Sequence, residues 1–151
     1  MDINGEFTLD APRQRVWEAL NDALVLKECI PGCESIEKIS DTEFETKMLA
    51  KIGPVKAKFA SSIVLSDLHP PCSYTISGQG KGGPAGFGKG SATVVLEEVE
   101  EGTLLTYTAE LQVGGKLAQI GSRLVGGAAK KIAREFFSSF AEQVTAQADN
   151  S

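Results

Sequence analysis

Seven of the chain's sixteen glycines fall in one stretch, SGQGKGGPAGFGKGS, from Ser77 to Ser91, together with Lys81 and Lys89. This composition could cradle a phosphate. Gly78, Gly80 and Gly83 satisfy G-x-G-x-x-G, and Gly83, Gly88 and Lys89 satisfy a P-loop up to Gly90, which stands where Ser or Thr would hold magnesium. A phosphate loop works by opening into a helix, whose free N–H groups and dipole meet the anion. Here the flanks are CSYTIS and SATVVLEEV, alternating and rich in β-branched residues, so both read as strands. The stretch is therefore expected to be a long hairpin tip and not a nucleotide site.

Cys29, Cys33, His69 and Cys72 can be written as a zinc set, C-x3-C with H-x2-C. The strands between them oppose it. His69 and Cys72 lie a whole strand away from Cys33, on the order of 25 Å at about 3.3 Å per residue. No metal site is expected, and three cysteines are read as free thiols.

The elements that would position any site follow from periodicity. Ile3, Gly5, Phe7 and Leu9 alternate with polar residues as a first strand. Pro12 suits the first turn of a helix carrying Val16, Trp17 and Leu20, and a second short helix over 22–29, with Leu24 and Leu26, stops at Ile30-Pro31-Gly32. Six strands follow from Cys33, divided at SDT, GP, HPP, GGPAGF and EEG. Lys116 to about Gln147 reads as one long helix, with Leu117, Ile120, Leu124, Ala128, Ile132, Phe136, Phe140 and Val144 on one face. The fold class is α+β: a seven-stranded antiparallel sheet wrapped around a long C-terminal helix, with two short helices after the first strand. A single domain over 1–147 and a frayed tail over 148–151 are expected.

Strand parity assigns the face toward the helix. It carries Phe44, Thr46, Met48, Ala50 and Ile52, then Val55, Ala57, Phe59, Ser61 and Ile63, and later Tyr74, Ile76, Ala92, Val94, Leu105, Tyr107, Ala109, Leu111 and Val113. Many are small, which admits two readings, close approach of the helix or a cavity. No His, Asp, Glu, Lys or Arg takes this parity, so general acid–base catalysis has no candidate and no catalytic residue is expected.

Turns of a meander alternate between the two ends of the sheet. The start at Cys33, Gly53-Pro54, the 81–90 tip and Gly114-Gly115 share one end, where Lys51, Lys56, Lys58, Lys81, Lys89 and Lys116 also gather. The opposite end holds Asp41, Glu43, Asp67, Glu98, Glu100 and Glu101. The lysines are either ordinary solvated turn residues or a docking surface for anionic headgroups or an acidic partner. A net charge of −5 opposes general nucleic-acid binding. The N-terminus lacks a signal peptide's pattern and no apolar run approaches a membrane span, so a cytoplasmic protein is expected.

Five blocks closely resemble the CoxG family of carbon monoxide dehydrogenase subunits, within the START/Bet v1-like (SRPBCC) superfamily: CIPGCESIEKI, GPVKAKF, GKGGPAGFGKGSA, YTAELQVGGKLAQIGSRL and AREFF. The likeness runs from residue 1 to about 140. Ala23 departs from it where proline is expected, and the chain has no counterpart of the C-terminal linker and membrane-interacting tail of longer relatives. The resemblance implies a helix-grip fold with a cavity. Its lining is then expected from Trp17, Leu20, Phe44, Met48, Phe59, Ile63, Tyr74 and Ile76, with Phe87, Val94, Tyr107, Leu111, Leu117, Ile120 and Leu124. Pro31, Gly53, Pro54, Gly83, Pro84, Gly86, Gly114 and Gly115 would form the mouth, with Phe87 as an apolar plug. It also implies an accessory protein for a molybdenum hydroxylase of the carbon monoxide dehydrogenase type, at the inner face of the membrane, handling an isoprenoid quinone or other lipid and needing no further cofactor. The alternatives are a maturation or interaction factor with a filled core and a cyclase-like enzyme acting on a small aromatic substrate.

Overall fold

The computed structural model describes residues 1–149 of the 151. Strand β1 (Asp2–Leu9) leads into helices α1 (Arg13–Leu20) and α2 (Ala23–Cys29). Then come β2 (Cys33–Ser40), β3 (Glu43–Ile52), β4 (Val55–His69), β5 (Ser73–Lys81), a 3₁₀ turn at Gly83–Ala85, β6 (Phe87–Val99) and β7 (Gly102–Gly114). Helices α3 (Lys116–Gln119) and α4 (Ser122–Asp149) close the chain. The strands form one antiparallel sheet in the order β1-β7-β6-β5-β4-β3-β2, curved around α4 as a helix-grip α+β fold.

Local chemistry fixes the short helices. Pro12 sits at the cap of α1, and the Asp22 carboxylate accepts a 2.9 Å hydrogen bond from the Leu24 backbone N–H at the start of α2. Val16, Trp17 and Leu20 are buried as their spacing predicts; on α2 the buried residues are Val25, Leu26 and Cys29, whereas Leu24 is exposed. Thr103, fully buried on β7, donates its hydroxyl to the Ala11 carbonyl at 2.8 Å and so ties the sheet to the β1–α1 link.

The predicted single C-terminal helix is two helices. Gly121 adopts φ +96°, a conformation open to glycine and strained for other residues, and it separates α3 from α4. Helix α4 continues past the expected end near Gln147 to Asp149, and Asn150 and Ser151 of the expected tail lie outside the described residues. A stack of rings clamps α4 to the β1 side of the grip. Phe137 lies 4.4 Å from Phe7 and 5.5 Å from Tyr107, both near parallel, a geometry that adds roughly 0.5–1.5 kcal/mol per pair beyond area burial.

Burial along the strands is uneven. On β3 the inward series runs from buried Phe44 and Thr46 to half-buried Met48, Ala50 and Ile52. The core accordingly falls into two clusters. A main one includes Leu9, Val16, Phe44, Leu105 and Phe140, and a satellite at the glycine-rich end is built on Phe59, Ala85 and Leu117.

Candidate ligand chambers

The glycine-rich hairpin serves packing. A Cβ on Gly82 would come within 2.5 Å of the Phe59 ring, one on Gly80 within 2.8 Å of the Ser61 hydroxyl, and one on Gly114 would collide with the Phe87 ring. Gly86 and Gly115 meet backbone to backbone, a Cβ on Gly115 falling 2.7 Å from the Gly86 Cα. These glycines let the hairpin tip and the β7–α3 junction close on each other, with aromatic rings covering the bare backbone. Strand follows the tip, so no helix N-terminus faces a phosphate there.

Between sheet and α4 lie two apolar chambers. The first, about 310 Å³, sits beneath α1 and α2 and is lined by Leu20, Leu26, Phe44, Ile63, Leu65, Tyr74, Ile76, Val94, Tyr107 and Phe137, among others. The second, about 260 Å³, lies toward the glycine-rich end against Met48, Ala50, Ile52, Phe59, Ser61, Leu111, Val113, Leu117 and Val125. Gly80 and Gly88 face the second chamber, and their missing side chains are part of its volume. Ala129 and Ile132 of α4 line both, so the two adjoin across one turn of helix. Each exceeds the roughly 150 Å³ that accepts benzene in a dry core.

Neither chamber is lined, among the described residues, by His, Asp, Glu, Lys, Arg or Cys. Their polar groups are the phenols of Tyr74 and Tyr107 and the Ser61 hydroxyl. Burial pushes the Tyr74 phenol well above its ordinary range; Tyr107 is raised by burial and partly lowered by the charge of Arg134. Thr46, between the Phe44 and Met48 rows of β3, is buried with its hydroxyl unpartnered. Donors without acceptors suit this site to holding a molecule, whereas a titratable group poised near neutrality is absent from its walls.

Of the expected lining residues, Leu20, Phe44, Ile63, Tyr74, Ile76, Val94 and Tyr107 come together in the first chamber, and Met48, Phe59, Leu111 and Leu117 in the second. Four are placed elsewhere. Trp17 stands behind the first chamber, edge-on to Tyr74 at 5.4 Å. Leu124 is 53% exposed because the break at Gly121 rephases α4 and turns Val125 inward instead. Ile120 and Leu124 lie over the turn at Gly53, 3.7 and 3.8 Å from where its Cβ would be. Phe87 is 49% exposed and covers Gly114 on the outer face, so it plugs nothing.

Among the expected mouth residues, Pro31 lines the first chamber, while Gly53, Pro54, Gly83, Pro84, Gly86, Gly114 and Gly115 line neither. Instead α4 packs on α2 and β1 and approaches β3 less closely, so the half-buried β3 residues Met48, Ala50 and Ile52 border a gap beside α4. Val125, Ala129 and Ala133 are further lining residues; the weak apolar signal of alanine hides two of them in the sequence.

The six lysines are exposed. Lys51, Lys56, Lys58, Lys81 and Lys89 sit on the outward parity of β3–β6, with Lys51 paired to Lys56 in register, while Lys116 opens α3. Lys58 meets Glu34 at 3.9 Å. Cys29 is buried, Cys33 half-buried and Cys72 exposed; among the described residues no three His, Cys, Asp or Glu side chains gather in a metal-ligand cluster. No described helix is long and apolar enough to cross a membrane.

The chain is similar to several solved structures. A conserved protein from Geobacillus kaustophilus shares 34% identity over 96% of this chain and 95% of that one, with a TM-score of 0.90. The ZhuI aromatase/cyclase from a Streptomyces species shares 13% over 96% and 93%, with a TM-score of 0.67. Ara h 8.0201 shares 17% over 97% and 98%, with a TM-score of 0.69. The last two share the fold alone. No curated protein sequence matches the chain. Residues 5–145 match the family model of CoxG, the G-type component of carbon monoxide dehydrogenase, and the chain therefore belongs to the CoxG family.

Proposed function

We propose that this protein is a carrier that binds an apolar small molecule inside the grip. The observation that carries the reading is the pair of adjoining apolar chambers, about 310 and 260 Å³, whose walls hold no acid, base or fixed charge. A binding site of this kind gains affinity from burial of apolar surface, roughly 25 cal/mol per Å², and selects by a few placed hydrogen-bonding groups. Entry runs beside α4 at its gap from β3. Family membership supports an accessory role beside a carbon monoxide dehydrogenase-type molybdenum hydroxylase, with an isoprenoid quinone or other lipid as cargo.

The outward lysine face favours a second role for the same molecule, contact with an anionic membrane surface or an acidic partner protein. Native mass spectrometry of the purified protein, followed by organic extraction, tests the carrier reading. A bound apolar molecule that leaves on extraction is expected. A protein that arrives empty and takes up no apolar probe overturns the reading in favour of a docking factor.

A further inference from the structure

The first chamber contains a hydrogen-bond donor with nothing to donate to. Tyr74 is 4% exposed, lines the chamber, and its hydroxyl has no hydrogen-bond partner among the described residues. Native interiors rarely leave such a group unmatched, because desolvation without a replacement bond costs stability. The other phenol differs. Tyr107 is stacked between Phe7 and Phe137, and a Cβ on Gly5 would lie 3.0 Å from its hydroxyl, which places that hydroxyl over β1. Its ring also feels the charge of Arg134 on α4. Tyr74 is thus the donor set deepest in the site, beneath α1 and beside Trp17.

The walls say what charge the matching acceptor can have. A carboxylate or phosphate in a chamber without a cation would be desolvated and unpaired, a penalty that one phenol cannot offset. A neutral carbonyl or ether oxygen loses far less on burial and can accept the phenol's proton in a hydrogen bond. The rest of the molecule must be apolar and long enough to pass Ala129 and Ile132 into the second chamber.

We propose that Tyr74 is the specificity-determining residue of the site: it donates to the neutral oxygen of a carbonyl-bearing apolar molecule, which enters oxygen first and leaves its tail in the second chamber. This rests on the carrier reading above. It predicts discrimination against fatty acids, whose apolar chains would fit equally well.

Trp17, the single tryptophan, stands 5.4 Å from Tyr74 and reports occupancy there by its fluorescence. The probes are a long-chain methyl ketone, the alkane of equal length and the fatty acid of equal length, titrated into wild type, Tyr74→Phe and Tyr107→Phe. The ketone is expected to bind wild type about tenfold more tightly than the alkane or the fatty acid. Tyr74→Phe is expected to reduce ketone binding to the alkane level, leave alkane binding unchanged and melt no lower than wild type, since it removes an unmatched hydroxyl. Tyr107→Phe should retain the preference. Equal ketone binding by wild type and Tyr74→Phe, or fatty acid bound as tightly as ketone, overturns the proposal while leaving the carrier reading intact. Failure of all three probes to bind wild type overturns the carrier reading itself.

Discussion

Ala129 faces both chambers at the point where they adjoin, so Ala129→Phe puts a ring into the junction. Two terms oppose each other. Phenylalanine is a poorer helix former than alanine, by about 0.5 kcal/mol in a helix interior. A benzyl group filling roughly 90 Å³ of empty space, at about 24 cal/mol per Å³ of cavity removed, returns about 2 kcal/mol. That return is an upper value, because part of each chamber opens toward α4's gap with β3 and is shared with solvent. The expected net effect is therefore between zero and about 1.5 kcal/mol of stabilisation, with loss of apolar-probe uptake. In a filled core the same change would overpack and cost about 1–3 kcal/mol. The sign decides the matter. Urea unfolding at constant m-value measures the stability change, and equilibrium titration of an apolar fluorescent probe measures uptake. A variant destabilised by about 1–3 kcal/mol, from a wild type that never bound the probe, would refute the chambers.

The two glycines of the C-terminal region should answer oppositely to alanine: Gly121→Ala, at φ +96°, is expected to lose about 1 kcal/mol or more. Gly127→Ala, inside α4 with open space around it, should gain about 0.4–1 kcal/mol in thermal unfolding. Thiol labelling at pH 8 should modify exposed Cys72 first and half-buried Cys33 later. Cys29, whose thiol is pushed up to about 11 by burial and then by Glu28, should react only on unfolding. Because that folded value lies above the ordinary 9.0, the Cys29 contribution to stability is complete below pH 9 and falls as pH climbs toward 11. Replacing Lys51, Lys56 and Lys81 by Glu should weaken adsorption to anionic vesicles at low salt, with the difference fading near physiological ionic strength, where screening acts within about 8 Å. Unchanged sedimentation with vesicles at low salt would make the lysine face an ordinary solvated one.

The sheet was legible because a period of two is hard to mistake. The alternation of β3 and β4 predicts which residues face α4, and Phe44, Phe59, Ile63 and Met48 are where parity puts them. The same rule carries Phe87 outward, since Ala92, Gly90 and Gly88 take the inward positions; a tip read as a free loop carries no such signal. The helix end was less legible. Apolar residues recur at three and four from Leu117 onward, and nothing in that spacing reveals that Gly121 turns the chain. The rotation this introduces exchanges Leu124 for Val125, a change that only backbone geometry contains. The gap between α4 and β3 depends on how the Phe7–Phe137–Tyr107 stack seats the helix, a property of three distant residues together.

A core in two pieces has two stabilities. The main cluster ties β1, α1, α2, the middle strands and α4 into one cooperative unit that exchanges its amide protons only when the whole domain opens. The satellite of Phe59, Ala85 and Leu117 is small, and on the helical side its anchor is the four-residue α3, uncoupled from α4 by Gly121. It can open as a separate unit, at a fraction of the global free energy, without disturbing the ring stack that holds α4. Amides of the hairpin tip and α3 then exchange early while those around Leu105 and Phe140 stay protected, and the second chamber is exposed each time the smaller unit opens.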